Sequence, residues 1–197
     1  MMKQLIVLSA PSGSGKTTVA RHLLKKFPSL EFSVSATTRP QRPNEVDGRD
    51  YHFLSRDAFR EAIERGDLIE YEEIFGNYYG TLRSQVQSSL DRGRHVVFDV
   101  DVKGALSLQH AFPNDTLLIF IAPPSLEVLE ERLRKRHTET DEQIAMRMAR
   151  AEMEMGHRGE FAEVIVNDQL QETLSRAEVV VLRAIDDPSQ QQGMFEK

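Results

Sequence analysis

The sequence predicts an α/β fold, with a mainly parallel sheet covered by helices on both faces. Strand-like and helix-like segments alternate over most of the chain. The first strand also leads through a glycine-rich turn straight into a helix. Between about residues 36 and 93 the strands shorten and loop signals multiply, which marks an inserted subdomain.

Taken in order, a short apolar run at residues 4–8 predicts a buried strand, and apolar spacing over 16–26 predicts an amphipathic helix. A second strand is expected at 31–35. Residues 36–50 hold Pro40, Pro43, Asn44 and Gly48 without helical period, so they read as a long ordered or ligand-ordered loop. A strand at 51–54 precedes a helix with Ser55 as its N-cap, and another strand follows at 68–74. Residues 75–80 read as a turn feeding a short strand, and 82–92 have helical spacing that stops before Gly93. The β-branched run 95–101 predicts a strand ending in two acids. A helix over 102–112, a strand at 117–121 and a helix after Ser125 continue the alternation. Thr140 and Gln143 form a capping-box pattern for a helix running towards Met155. A segment at 163–166, a helix over 170–183 and a polar tail at 187–197 complete the chain.

Composition narrows the function classes. The chain has 197 residues, 40% hydrophobic and 28% charged, enough for one domain with a substantial core. No cysteine is present, which excludes disulfides, thiolate metal sites and cysteine nucleophiles. With 25 Lys plus Arg against 31 Asp plus Glu, the net charge of −6 gives no support to nucleic-acid or anionic-membrane binding. The apolar run at 5–8 is too short for a signal-peptide core or a membrane span, so the cytoplasm is the expected compartment. No feature read here sets an oligomeric state.

The strongest local signal is Ala10, Pro11, Ser12, Gly13, Ser14, Gly15, Lys16, Thr17, followed by Thr18, placed where a phosphate loop belongs. Gly13 and Gly15 let the backbone curl so that several N–H groups and the helix N-terminus face one anion. Lys16 reaches towards β and γ phosphates, and the Thr17 hydroxyl suits Mg²⁺. Ala10 departs from the general motif, which has Gly there. A dinucleotide fingerprint would need a small residue where Thr18 stands. The acids Asp99 and Asp101, two residues apart, are expected on one face of a strand, at the carboxyl end where ligands collect. Asp99 suits Mg²⁺, directly or through water. The blander reading makes the pair strand-terminating acids in a helix-capping turn.

Residues 33–43 concentrate hydroxyls with Arg39 and Arg42, a pair fitted to a second phosphate. Further along, Tyr51, Glu70 and the run Phe75, Gly76, Asn77, Tyr78, Tyr79, Gly80, Thr81 add hydroxyls and a carboxylate. Together, from the phosphate loop to Asn167 and Asp168, these residues resemble the guanylate kinase family. The resemblance implies a P-loop three-layer α/β/α architecture. Its core would be residues 1–35, 94–124 and 158–186, with a GMP-binding subdomain near 36–93 and a helical lid near 125–157. It implies transfer of the ATP γ-phosphate to GMP, and to dGMP, with Mg²⁺, in purine nucleotide metabolism and GMP recycling. Arg39, Arg42, Tyr51 and Tyr79 would hold the GMP phosphate, while Ser35, Glu70, Thr81 and Asp101 would read guanine. Carboxylates can accept from guanine N1–H and N2–H₂, and a Ser35 or Thr81 hydroxyl can donate to O6. The resemblance also places Asn167 near adenine. It puts Arg132, Arg136 and Arg147 over the transferring phosphoryl group with Lys16, and Arg39 among the catalytic residues. The lid departs from many family members, with Lys135, Arg136, His137 where they have Gly, Arg, Gly.

An alternative from another class is a non-catalytic guanylate-kinase-like module that binds phosphorylated peptides. The intact Gly13, Gly15, Lys16, Thr17 and the lid arginines speak against it. A phosphorylated-sugar kinase on the same scaffold is disfavoured by Glu70 and Asp101.

Overall fold

A computed structural model describes residues 3–74, 76–135 and 140–185. The elements, in chain order, are β1 (Leu5–Ser9), α1 (Lys16–Lys26), β2 (Leu30–Phe32), β3 (Ala36–Thr37), β4 (His52–Phe53) and α2 (Arg56–Glu64). Then come β5 (Leu68–Ile74), β6 (Asn77–Leu82), α3 (Arg83–Asp91), β7 (His95–Asp99), α4 (Val102–Ala111) and β8 (Thr116–Ala122). Helices α5 (Leu126–Arg134) and α6 (Asp141–Gly156), a short 3₁₀ turn at Arg158–Glu160, β9 (Glu163–Val166) and α7 (Leu170–Ile185) follow.

Five strands form one sheet in the order β2-β7-β1-β8-β9, and every pairing is parallel. Because β1 is wholly buried, its alternate side chains feed two different cores. Ile6 and Leu8 pack with α1 and α7 through Val19, Leu23, Ala177 and Val181. Leu5 and Val7 pack on the other face with Val86 of α3 and Ala105 and Leu108 of α4. The result is the three-layer α/β/α arrangement expected from the alternation.

A second, four-stranded sheet, β4-β3-β6-β5, lies within the segment read as an insertion. It has its own core of Ala36, Phe59, Ala62 and Leu68, with Phe59 stacked on Tyr78 at 5.3 Å. Helices α5 and α6 bury Leu129, Leu133 and Ala151 between them. The N-caps read from the sequence are formed. Ser55 accepts from the Ala58 N–H, and Thr140 and Gln143 complete a reciprocal capping box. Among the described residues no helix is long and apolar enough to cross a membrane.

Three boundaries differ from expectation. The strand expected at 31–35 ends at Phe32, because residues 33–35 carry the chain from the first sheet to the second. The loop expected over 36–50 begins with the two-residue strand β3, held between β4 and β6. Its remainder is ordered by its own acids: Glu45, Asp47 and Asp50 accept from the N–H groups of Arg42, Phe53 and Val46. Lastly, β7 stops at Asp99 rather than 101, and Asp101 is the N-cap of α4, accepting from the Gly104 N–H at 2.8 Å.

Gly80 in β6 allows β5 and β6 to close. A Cβ there would stand 2.7 Å from the Glu70 carbonyl oxygen and 3.0 Å from Tyr71 Cβ. Gly80→Ala is therefore expected to lower the thermal midpoint by roughly 3–10 °C, the scale of an overpacking defect in a chain of this size. A shift below about 1 °C in a thermal melt would contradict this close packing.

Candidate active site

The turn after β1 is a cradle for an anion. Gly13 and Gly15 have φ of +99° and +95°, a region that side chains disfavour. No side chain caps α1 at Gly15, so the first N–H groups of that helix are left for a ligand. Ala10, where the general motif has Gly, is 5% exposed and belongs to the core beneath the loop. Parallel pairing sets Leu8 beside Asp99 and so delivers an acid to the loop. Lys16 Nζ lies 2.8 Å from Asp99 Oδ1 and donates to the Val100 carbonyl at 2.6 Å. The Thr17 hydroxyl donates to Asp99 Oδ2 at 3.0 Å. From α6, Arg147 Nη1 donates to the Ser12 hydroxyl.

Asn167, expected near adenine, lies against the phosphate loop. It is 7% exposed, its Nδ2 donates to the Ser14 carbonyl at 2.7 Å, and its Oδ1 accepts from the Thr173 hydroxyl at 3.0 Å. It therefore braces the phosphate loop against the start of α7.

Around the arginine loop, Arg39 forms a bidentate pair with Glu45, at 3.0 Å through Nη1 and 2.7 Å through Nη2, and Nη1 also donates to the Pro40 carbonyl. That hydrogen-bonded pair holds the Glu45 carboxyl below its usual range and the Arg39 guanidinium above its own. The Arg39 guanidinium sits 5.3 Å from the Tyr51 ring, which meets the Tyr79 ring at 6.1 Å. Arg39, Tyr51 and Tyr79 are thus brought together. Arg42 is exposed nearby, and its side chain makes no hydrogen bond or ion pair among the described residues.

On the second sheet, the Thr81 hydroxyl donates to Glu70 Oε1 at 2.5 Å. A carboxylate cannot donate, so this proton is committed, and Thr81 has only acceptor capacity to offer a base. The Ser35 carbonyl accepts from the His52 N–H at 2.9 Å, which ties Ser35 to the start of β4. Gly104 makes room for the acids. A Cβ there would stand 3.2 Å from Glu70 Oε2 and 3.3 Å from Asp101 Oδ1. Burial pushes the Glu70 carboxyl up, the Thr81 hydrogen bond opposes it, and the charges of Asp101 and Glu72 add to the rise. Since Asp101 lies beyond the strand, it does not share a strand face with Asp99. Its cap geometry turns it to the second sheet, while Asp99 faces Lys16.

Two cavities have Asp101 in their walls. One, of about 510 Å³, is lined by residues of the phosphate loop, Arg147 and Asp101. Another, of about 520 Å³, is lined by Glu70, Glu72, Gly104 and again Asp101. Ligand sites commonly have volumes of roughly 300–1,000 Å³. Arg132 lies at the end of α5 with no hydrogen bond or ion pair among the described residues, and Arg136 is outside them.

The sequence reading missed Arg150 and Glu154, which line the phosphate cavity, and gave Glu45 no role of its own. The signal was present in part, since Arg150 follows Arg147 by three residues and precedes Glu154 by four, placing them near one helix face.

Removing the brace is expected to affect the loop more than the fold. Asn167→Ala should raise the KM for the nucleotide donor about tenfold, the worth of a buried hydrogen bond to the loop, and change the acceptor KM less than about twofold. Equal rises in both KM values, measured in steady state, would count against a local role.

Comparison with known proteins gives a consistent answer. The family model described as guanylate kinase matches residues 2–183. A guanylate kinase of Chlorobium luteolum is 49% identical over 179 residues, covering 91% of this chain and 89% of that one. One from Maricaulis maris is 51% identical over 172 residues, covering 87% and 79% respectively. The crystal structure of guanylate kinase from Anaplasma phagocytophilum superposes with a TM-score of 0.71 at 32% identity, over 95% of this chain and 88% of its own. A parallel sheet that delivers an acid to a phosphate loop, beside an inserted sheet carrying paired acids, is thus matched along nearly its whole length, and the chain belongs to the guanylate kinase family.

Proposed function

We propose that the protein transfers the γ-phosphoryl group of ATP to GMP, giving ADP and GDP, and that it uses dGMP as well. The observation that carries this is that Asp101 lines both the phosphate-loop cavity and the cavity of the paired acids, so that a phosphate-binding loop and a base-reading pair of acids are neighbours. The proposed role in the cell is purine nucleotide metabolism and the recycling of GMP, in the cytoplasm.

GMP brings its own anionic oxygen as nucleophile, so the reaction needs alignment and charge neutralisation rather than a general base. The phosphate loop and Lys16 take the ATP phosphates, with Arg132, Arg136 and Arg147 closing over them. Arg39, Arg42, Tyr51 and Tyr79 hold the acceptor phosphate. Three of the five Arg39 N–H donors are engaged by Glu45 and Pro40, so Arg39 would reach a phosphate through those that remain. Ser35, Glu70, Thr81 and Asp101 address the base.

The residues present fit Mg²⁺. The Thr17 hydroxyl and the Asp99 carboxylate converge as hard oxygen ligands 3.0 Å apart. No cluster of three or more His, Asp or Glu among the described residues could hold a metal ion alone, which suits a cation that arrives with the nucleotide. Bound there, Mg²⁺ would neutralise charge on the β and γ phosphate oxygens.

A coupled ADP-release assay over GMP, dGMP, AMP, CMP and UMP with MgATP tests the activity. Turnover with GMP and dGMP alone is expected, and activity on AMP or UMP without GMP would overturn the specificity. Lys16→Ala is expected to lower kcat about 100-fold or more, as loss of one oriented charge-stabilising group commonly does.

The raised Glu70 carboxyl gives a second test. Ionised Glu70 accepts from guanine more strongly than the protonated carboxyl does, and burial raises the pH at which that advantage is lost. The wild-type KM for GMP should rise on acidification, relative to a higher but flatter profile for Glu70→Gln. The stability sign is opposite. A carboxyl pKa raised in the folded state makes the ionised form a cost at neutral pH, relieved as pH falls. Glu70→Gln should therefore keep or raise the thermal midpoint at neutral pH while weakening GMP. A variant with parallel KM profiles and a lowered midpoint would contradict both statements.

A further inference from the structure

Between the two cavities lies a guanidinium to which the reaction above assigns nothing. Arg150 projects from α6, and its Nε donates to Glu154 Oε1 at 3.0 Å, one turn along the same helix. Its Nη2 donates to Asp101 Oδ2 at 3.0 Å and lies 3.2 Å from Glu72 Oε1. The three carboxylates belong to α6, to the cap of α4 and to β5. A single planar fork therefore joins the phosphate-side helix to the base-side acids.

The effect on Asp101 is specific. Its Oδ1 accepts from the Gly104 N–H and its Oδ2 from Arg150, so the plane of the carboxylate is set at both oxygens. Each oxygen keeps a further lone pair for a ligand. Arg150 also supplies positive charge where Glu70, Glu72 and Asp101 crowd together, with Glu70 and Asp101 both within contact of the space above Gly104. Without it, Asp101 could swing away from its acidic neighbours, constrained by the cap bond alone.

We propose that Arg150 is a specificity-determining positioning residue for the acceptor base: acting through Asp101, and anchored on Glu72 and Glu154, it holds the base-reading carboxylate in its accepting orientation. The proposal rests on the reading of Glu70 and Asp101 as the guanine-facing acids. Arg150 also lines the phosphate cavity, so a direct role on the phosphates is the competing assignment that the test must separate.

The experiment is steady-state kinetics on the full chain with GMP and with IMP, which lacks the exocyclic 2-amino group, at saturating MgATP, and with ATP varied at saturating GMP. The variants are Arg150→Gln, Arg150→Lys, Asp101→Asn and the Arg150→Gln/Asp101→Asn double. Arg150→Gln should raise the KM for GMP about tenfold, the worth of one charge-assisted hydrogen bond. Its kcat and its KM for ATP should stay within about twofold, and it should shift the GMP-over-IMP preference in the direction that Asp101→Asn does, by less. Arg150→Lys, which keeps the charge but not the fork, should recover part of the GMP KM. The double variant should be no worse than Asp101→Asn alone.

A fall in kcat with the KM for GMP unchanged would overturn the proposal in favour of a phosphate role, as would additive effects in the double variant. If Asp101→Asn raises the KM for GMP while Arg150→Gln is silent, the proposal fails and the guanine pocket stands. If Asp101→Asn leaves both the KM for GMP and the GMP-over-IMP preference unchanged, the guanine-pocket reading fails and takes the proposal with it.

Discussion

Everything at this site depends on one register, the parallel pairing that sets Leu8 of β1 opposite Asp99 of β7. A strand advances by about 3.3 Å per residue and turns its side chain over at each step. A slip of one residue would carry the Asp99 carboxylate out of reach of Lys16 and Thr17, and would turn Val97 and Phe98 away from the cores they fill. The same apolar alternation that packs helices on both faces of the sheet therefore also sets the catalytic ends of two strands side by side. Fold and site are specified by one set of contacts.

The charges follow a second rule, in which several cations of the site are held by internal oxygens. Lys16 is held by Asp99, Arg39 by Glu45, Arg147 by Ser12, and Arg150 by three carboxylates. Holding long side chains in place before a ligand arrives lessens the ordering cost of binding. It also keeps neighbouring cations from repelling one another. Arg42 and Arg132 stand outside this scheme, and contacts they make with a phosphate would carry that ordering cost in full. A chain with a net charge of −6 can thus present concentrated positive charge to anionic substrates while its acid excess serves as scaffolding.

What could be read from the sequence was what is encoded locally. Helices α1, α2 and α6 announce themselves through spacing and caps, and the phosphate loop is a contiguous string from Ala10 to Thr18. Strand β3 could not be read, because two residues become a strand only through partners in β4, 16 positions away, and in β6, 42 and 44 positions away. The end of β7 was overrun because Val100 extends the apolar pattern, whereas the α4 cap at Asp101 ends the strand. At the site, residue types were legible and hydrogen-bond direction was not. Nothing in the string shows that Thr81 spends its proton on Glu70, or that Asn167 is turned inward. Glu154 is a local partner of Arg150, but the other two, Asp101 and Glu72, lie 49 and 78 residues away, beyond any local pattern.

The brace at Asn167 has a consequence for how this sequence can change. A Cβ at Gly15 would stand 2.4 Å from Asn167 Nδ2, so the glycine is required by its neighbour as well as by its own backbone. Positions 15 and 167 are separated by most of the chain, yet the side chain at the second limits what the first can hold. A side chain at the first could be admitted only together with a smaller residue at the second and a new partner for the Ser14 carbonyl. A side chain at position 15 is blocked while Asn167 stays in place, so any redesign of the loop has to begin at the far end of the polypeptide.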